Sequence, residues 1–223
     1  PEAEMPVVRN VVEDQADLPA AALGSYKKEQ DKLTDDLRRQ CLQAYYASIS
    51  FMDAQVGRVI AALDRLGLAE KTIIVFTSDH GYHMGEHGLW QKMSLFEGSA
   101  RVPLLIVAPG VAKPNGIAKS PVSHLDLYPT LCDLADVKAP PSLQGQSLVP
   151  LLKDTAEPGR GWAITQVTRG GIRRPGASAP QGATGNRFFG YTLRTPRWRY
   201  TEWDEGAQGH ELYDHDADPQ ELT

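Results

Sequence analysis

The residues with the most chemical content lie in one stretch, Ser78-Asp79-His80-Gly81-Tyr82-His83-Met84-Gly85-Glu86-His87-Gly88-Leu89-Trp90-Gln91-Lys92. It follows Thr72 to Thr77, a continuous β-branched and aromatic run of the kind that forms a strand buried on both faces. In open α/β sheets, ligands gather outside the carboxyl ends of strands. An adjacent carboxylate and imidazole at such an end offer one metal ion a hard oxygen and a nitrogen donor, so Asp79 and His80 are candidate metal ligands. Gly81 permits the irregular turn that lets both face the same ion. Lys92, thirteen residues after Asp79, adds a compact ammonium charge suited to an oxyanion such as sulfate or phosphate.

The same residues also have plainer readings. An Asp-His pair after a strand serves as a turn or cap. His80, His83 and His87 have a spacing that suggests zinc, but only together with a carboxylate or thiolate of the right geometry. Lys92 alone is an ordinary solvated lysine. Glu97 and Arg101 form a simple i,i+4 pair on a helix. On residue chemistry alone, a metal- or anion-binding loop and a structural turn both stand.

The surrounding pattern supplies the elements that hold this loop. Thr34 is an N-cap with Asp35 and Asp36 in the first turn, where the helix dipole favours acids. Leu37, Cys41, Tyr45, Ile49, Met52, Val56, Val59, Ile60 and Leu63 then recur at spacings of three and four, a long amphipathic stripe ending near Gly67. Cys41 falls on that stripe and reads as a small buried hydrophobe. A second apolar run, Val102 to Ala108, ends at Pro109-Gly110, and another helix is expected from about Leu125 to Ala135. Residues 1 to about 30 are polar and Pro-broken and read as extended or loop. This order predicts an α/β class: an incomplete, mostly parallel sheet with flanking helices over residues 1–155. The composition then changes. Residues 169–186 hold seven Gly or Pro in eighteen, which marks a loop. Phe188 to Arg194 and Trp198 to Trp203 alternate apolar and polar residues across Thr195-Pro196, the pattern of an antiparallel hairpin. Residues 156–223 are therefore expected to form a small, truncated antiparallel subdomain.

Composition narrows the function classes. The 223 residues carry a net charge of -5, which argues against nucleic-acid binding through a broad basic surface. No apolar run approaches the ~18 residues of a membrane-spanning helix. Two cysteines, Cys41 and Cys132, do not make a disulfide scaffold. The chain starts at Pro1 and stops at Glu221-Leu222-Thr223, so it is expected to be a fragment.

Thr77-Ser78-Asp79-His80-Gly81, Gly85-Glu86-His87-Gly88, Lys92 and Arg101-Val102-Pro103-Leu104, in that order, resemble the second half of a sulfatase of the alkaline phosphatase superfamily. The iduronate-2-sulfatase branch is the most similar. Tyr45 to Asp53 with Gly57, Asp126 to Leu131, and Glu211-Leu212-Tyr213-Asp214 with Asp218-Pro219 extend the match from about residue 40 to the end. The resemblance implies that Asp79 and His80 bind a divalent cation, usually calcium, and that Lys92 contacts the sulfate. It places His87 near the site, where it touches substrate, and makes His124 structural. The implied reaction is hydrolysis of a sulfate ester, of a sulfated sugar or polysaccharide or an aryl sulfate, in which a hydrated formylglycine attacks sulfur. The Asp-His pair also occurs in zinc-using phosphodiesterase relatives. Relatives are commonly periplasmic, secreted or lysosomal. The family's nucleophile motif, Cys or Ser followed by x-Pro-x-Arg, is absent: neither Cys41-Leu42-Gln43-Ala44 nor Cys132-Asp133-Leu134-Ala135 fits it. The N-terminal metal carboxylates have no counterpart either. The chain alone is thus expected to be inactive. The alternatives are a phosphodiesterase or phosphonate hydrolase of the same superfamily and a non-catalytic binding protein on this scaffold. Trp90, Trp198 and Trp203 are candidates for stacking on a sugar, or for ordinary packing.

Overall fold

The structure, a computed structural model, describes Met5, residues 11–170 and residues 187–222. One helical turn, α1 (Val11–Gln15), precedes the long helix α2 (Asp35–Arg65). Strand β1 (Ile74–Thr77) leads through the Asp79–Lys92 loop into α3 (Glu97–Ala100) and β2 (Leu104–Val107). Helices α4 (Leu127–Leu134) and α5 (Val149–Lys153) follow, and then β3 (Ala163–Arg169), β4 (Phe188–Arg194), β5 (Trp198–Trp203) and β6 (His210–Asp214). The α/β class, the long helix and the hairpin match the sequence reading. The calls on residues 1–4, 6–10 and 171–186 lie outside the described residues; Val11–Gln15 form a helical turn and residues 28–32 a 3-10 turn where loop was expected.

Helix α2 begins as its sequence dictates: the Thr34 hydroxyl accepts a hydrogen bond from the Leu37 amide at 3.3 Å, ahead of Asp35 and Asp36. Its apolar stripe is only partly covered, with Val56, Ile60 and Leu63 half-buried. Only Leu42 is buried on α2, while Leu37, Tyr45, Ile49, Met52 and Val59 are exposed. Cys41, expected to be buried, is exposed: periodicity specifies a face but not what covers it, and Tyr82, stacked on Tyr45 at 6.0 Å, covers only part of this one.

Strand direction also differs from expectation. β1 and β2 pair antiparallel, with Ile74 opposite Val107 and Thr77 opposite Leu104. A β-branched run encodes burial rather than direction, and mixed sheets commonly carry antiparallel pairs. The second sheet, in the order β3-β4-β5-β6, is antiparallel throughout. Its strands alternate, so Val167, Phe188, Trp203 and Tyr213 share one face. That face packs against Leu89, Leu95 and Phe96 of the loop and Ala22 of the N-terminal segment, forming the main core cluster. Trp203 is fully buried, worth a few kcal/mol at ordinary transfer free energies. It fits because residue 190 is glycine: a Cβ there would lie 2.3 Å from the Trp203 ring. The loop that carries the chemical residues therefore rests on the antiparallel sheet.

Candidate functional site

Three of the chemical residues converge. The His80 ring places Nε2 2.7 Å from Lys92 Nζ and 3.5 Å from Asp79 Oδ2. Its Nδ1 is 2.7 Å from the Gly81 carbonyl, which can only accept, so Nδ1 carries the proton and Nε2 presents a lone pair. Fixing the tautomer through a carbonyl on the far nitrogen is how metal-binding histidines are oriented. Asp79 and Lys92 are exposed and His80 is half-buried, so all three are open to a ligand. The turn stays tight because residue 81 lacks a side chain: a Cβ on Gly81 would sit 2.2 Å from the Gly98 carbonyl oxygen, and the Gly81 amide donates to Ser99 O at 2.8 Å. An accessible carboxylate beside an imidazole nitrogen is a donor pair that a divalent cation can take, and here the Lys92 ammonium occupies the Nε2 lone pair.

The other two histidines do not join this group. His83 is fully buried, with Nε2 2.6 Å from Ser94 Oγ. Nearby, Glu86 accepts from the Met84 amide at 2.6 Å; burial pushes its carboxyl up, but the His83 contact and backbone donors more than offset this and hold it below the usual range. His87 is 3% exposed, its ring stacked on Phe96 at 3.8 Å and its Nδ1 3.1 Å from Asp14 Oδ2. His124 lies in a capping box formed by Ser123 and Asp126, with Nε2 3.4 Å from Thr77 Oγ1. Trp203 is buried, Trp90 is half-buried, and Trp198 is exposed under the Arg197 guanidinium at 4.6 Å.

A second cluster went unnoticed in the sequence. Ligand atoms of Glu97, His215 and Glu221 lie within 4.8 Å of one another. Cationic groups already meet these carboxylates: Arg199 hydrogen-bonds to both Glu97 and Glu221, and Arg194 Nε is 3.3 Å from Glu97. Burial pushes Glu97 up, but the charges of Arg199, Arg194 and His215 reverse this and hold it low. The cluster is an internal ion network that joins α3 to the end of the chain. Its sequence signal was Arg199, a charge at an inward position of an alternating strand. A groove of about 1560 Å³ runs along β2 and residues 109–124 and is lined by none of Asp79, His80 and Lys92.

The chain is similar to known sulfatases and to related hydrolases. The Sulfatase family model matches residues 16–137. The chain is 40% identical over 180 residues to arylsulfatase K of Gallus gallus, an alignment covering 80% of this chain and 32% of that protein. It is 38% identical over 194 residues to the choline-sulfatase of Rhizobium meliloti (strain 1021), covering 86% of this chain and 34% of that protein. The solved phosphonate monoester hydrolase of Agrobacterium radiobacter superposes with a TM-score of 0.85 at 30% identity, over 100% of this chain and 47% of that one. The chain spans about a third of the length of the curated relatives it matches.

Proposed function

This chain belongs to the sulfatase family, whose members generally use a divalent metal, and we propose that it forms the part of a sulfate-ester hydrolase that binds the metal and the sulfate. The supporting observation is the convergence of Asp79, His80 and Lys92, with Lys92 Nζ 2.7 Å from the His80 lone pair. Asp79 and His80 would hold the cation, calcium on the strength of the hard Asp79 oxygen. A cation held there would supply Lewis-acid polarisation of the sulfate oxygens. Lys92 supplies a fixed positive charge to an oxygen of the sulfate, where negative charge builds up as the ester bond breaks. His80 keeps its proton on Nδ1, directed at Gly81 O, so the Nε2 lone pair that Lys92 meets here would pass to the metal once Lys92 turns to the sulfate. The nucleophile, a formylglycine hydrate by family resemblance, lies on a segment outside these 223 residues, in a longer polypeptide. The division into an α/β part over 1–155 and an antiparallel part over 156–223 belongs to the same proposal. So does the iduronate-2-sulfatase-like motif set and a sulfated sugar, polysaccharide or aryl ester as substrate.

The test is turnover of an aryl sulfate by the complete polypeptide that contains these residues. Lys92→Ala should lower kcat/KM by about a hundredfold or more, the usual loss on removing one oxyanion-stabilising group. A change below threefold would remove Lys92 from the mechanism. The likeness to a phosphonate monoester hydrolase supports a second reading. Turnover of an aryl phosphonate monoester well above that of the aryl sulfate would favour it. Calcium binding by titration calorimetry with no turnover of either ester would identify a binding protein instead.

A further inference from the structure

The short turn that carries Lys92 is held from several directions. Trp90 O accepts from Gln30 Nε2 at 3.2 Å and from the Tyr82 hydroxyl at 3.0 Å. The backbone amide of His83 donates to Gln91 O at 3.0 Å, and the His83 ring reaches Ser94 Oγ at 2.6 Å. His83 thus brackets Lys92, one residue before it and two after. Met93, next to Lys92, has φ +72, a conformation that costs a non-glycine residue about 1 kcal/mol or more and persists only where its surroundings enforce it. Its carbonyl accepts from Arg169 Nη2 at 2.9 Å.

Arg169 is an unexpected residue at this position. It ends β3, is 8% exposed, and lies over the Trp203 ring at 4.8 Å. Its Nε donates to Ala21 O at 2.8 Å, so its fork joins the N-terminal segment, the Lys92 turn and the antiparallel sheet. Burial lowers its pKa to about 10, partly opposed by Glu211, so it stays charged at neutral pH. Burying a guanidinium is costly, and a planar fork that meets carbonyls from separate segments is a geometry lysine lacks.

We propose that Arg169 and His83 are positioning residues that fix the backbone of residues 91–94 and thereby aim Lys92. The inference rests on Lys92 contacting the sulfate. Misplacing a catalytic group by about 1 Å costs on the order of a hundredfold in rate, so loosening this turn should be costly. The test is a set of double-mutant cycles in the complete polypeptide, measuring kcat and KM for an aryl sulfate with circular dichroism and Tm as controls for folding. Arg169→Met and His83→Leu should each lower kcat/KM by about tenfold or more, mainly in kcat. In a Lys92→Ala background the same changes should cost less than about twofold, because their effect passes through Lys92. A purely structural role would give losses that multiply in both backgrounds, and that result overturns the proposal. So do unaltered single variants alongside an impaired Lys92→Ala. If Lys92→Ala is itself fully active, the reading of Lys92 fails first and the inference falls with it. Should Arg169→Met or His83→Leu fail to fold, Ser94→Ala, which removes only the hydroxyl bound by His83, carries the same comparison.

Discussion

Glu211 offers a test of the core beneath the site. It points inward from β6, is 8% exposed, and accepts a hydrogen bond from Trp203 Nε1 at 3.1 Å. Burial raises its pKa from 4.5 to about 7; the nearby Glu221 adds to the rise, while the Trp203 bond, His87 and Arg199 oppose it. A folded-state pKa above the unfolded value means that the folded chain binds the proton more tightly. The associated stability is fully present below about pH 4.5 and is lost as the pH rises through about 7. At about 1.4 kcal/mol per pH unit, a rise from 4.5 to about 7 corresponds to about 3 kcal/mol. Glu211→Gln keeps an acceptor for Trp203 and cannot ionise. Relative to wild type, the variant should gain up to about 3 kcal/mol between pH 4.5 and pH 8, read as the difference between urea-unfolding free energies at matched pH. Taking the difference cancels groups of opposite sign such as Glu97, whose depressed pKa contributes stability above about 4.5 that is lost on acidification. If the difference stays flat across this range, Glu211 is already ionised in the folded state and the burial argument for this site is wrong.

Other outcomes follow from the same packing. Arg199→Met removes the guanidinium that Glu97 and Glu221 share, leaving Arg194 beside Glu97 and His215 beside Glu221; urea unfolding at pH 7 should report a loss of about 3 kcal/mol. Gly190→Ala drives a methyl into the Trp203 ring and should cost about 1 to 3 kcal/mol, seen as a lower Tm with reduced near-ultraviolet dichroism from Trp203. Thr34→Ala removes the α2 N-cap and should cost about 1 kcal/mol in the same assay. The 223-residue chain alone should bind a hydrophobic dye and self-associate through the exposed Tyr45, Ile49 and Met52 face of α2; a monodisperse monomer that leaves the dye dark would contradict this.

The sequence made legible what depends on local pattern. Thr34, Asp35 and Asp36 announce the start of α2 because a cap and a dipole act within one turn. The alternation of Phe188 to Arg194 and Trp198 to Trp203 announces the hairpin because pleating has a period of two. Asp79, His80 and Lys92 could be picked out as a group because the chemistry of their side chains and the family resemblance pointed to the same loop. Strand direction was not legible: Ile73 to Phe76 is equally at home in either orientation once it is buried. Nor was burial along α2, since a stripe specifies which face is apolar but not what covers it. What sequence reasoning missed most was long-range and charged. Asp14 meets His87 across 73 residues, Arg169 reaches Met93 across 76, and Arg199 reaches Glu97 across 102. No local period encodes such pairings. Their only trace is a charge at a position where the pattern asks for an apolar residue: Arg169 follows Val167 on the inward face of β3, and Arg199 precedes Thr201 and Trp203 on β5. An inward-facing arginine is costly to bury unless its whole fork finds acceptors, and irregular loops are where unpaired carbonyls are found. A charge out of place on a strand therefore points to the loop it holds, and here one of those loops carries Lys92.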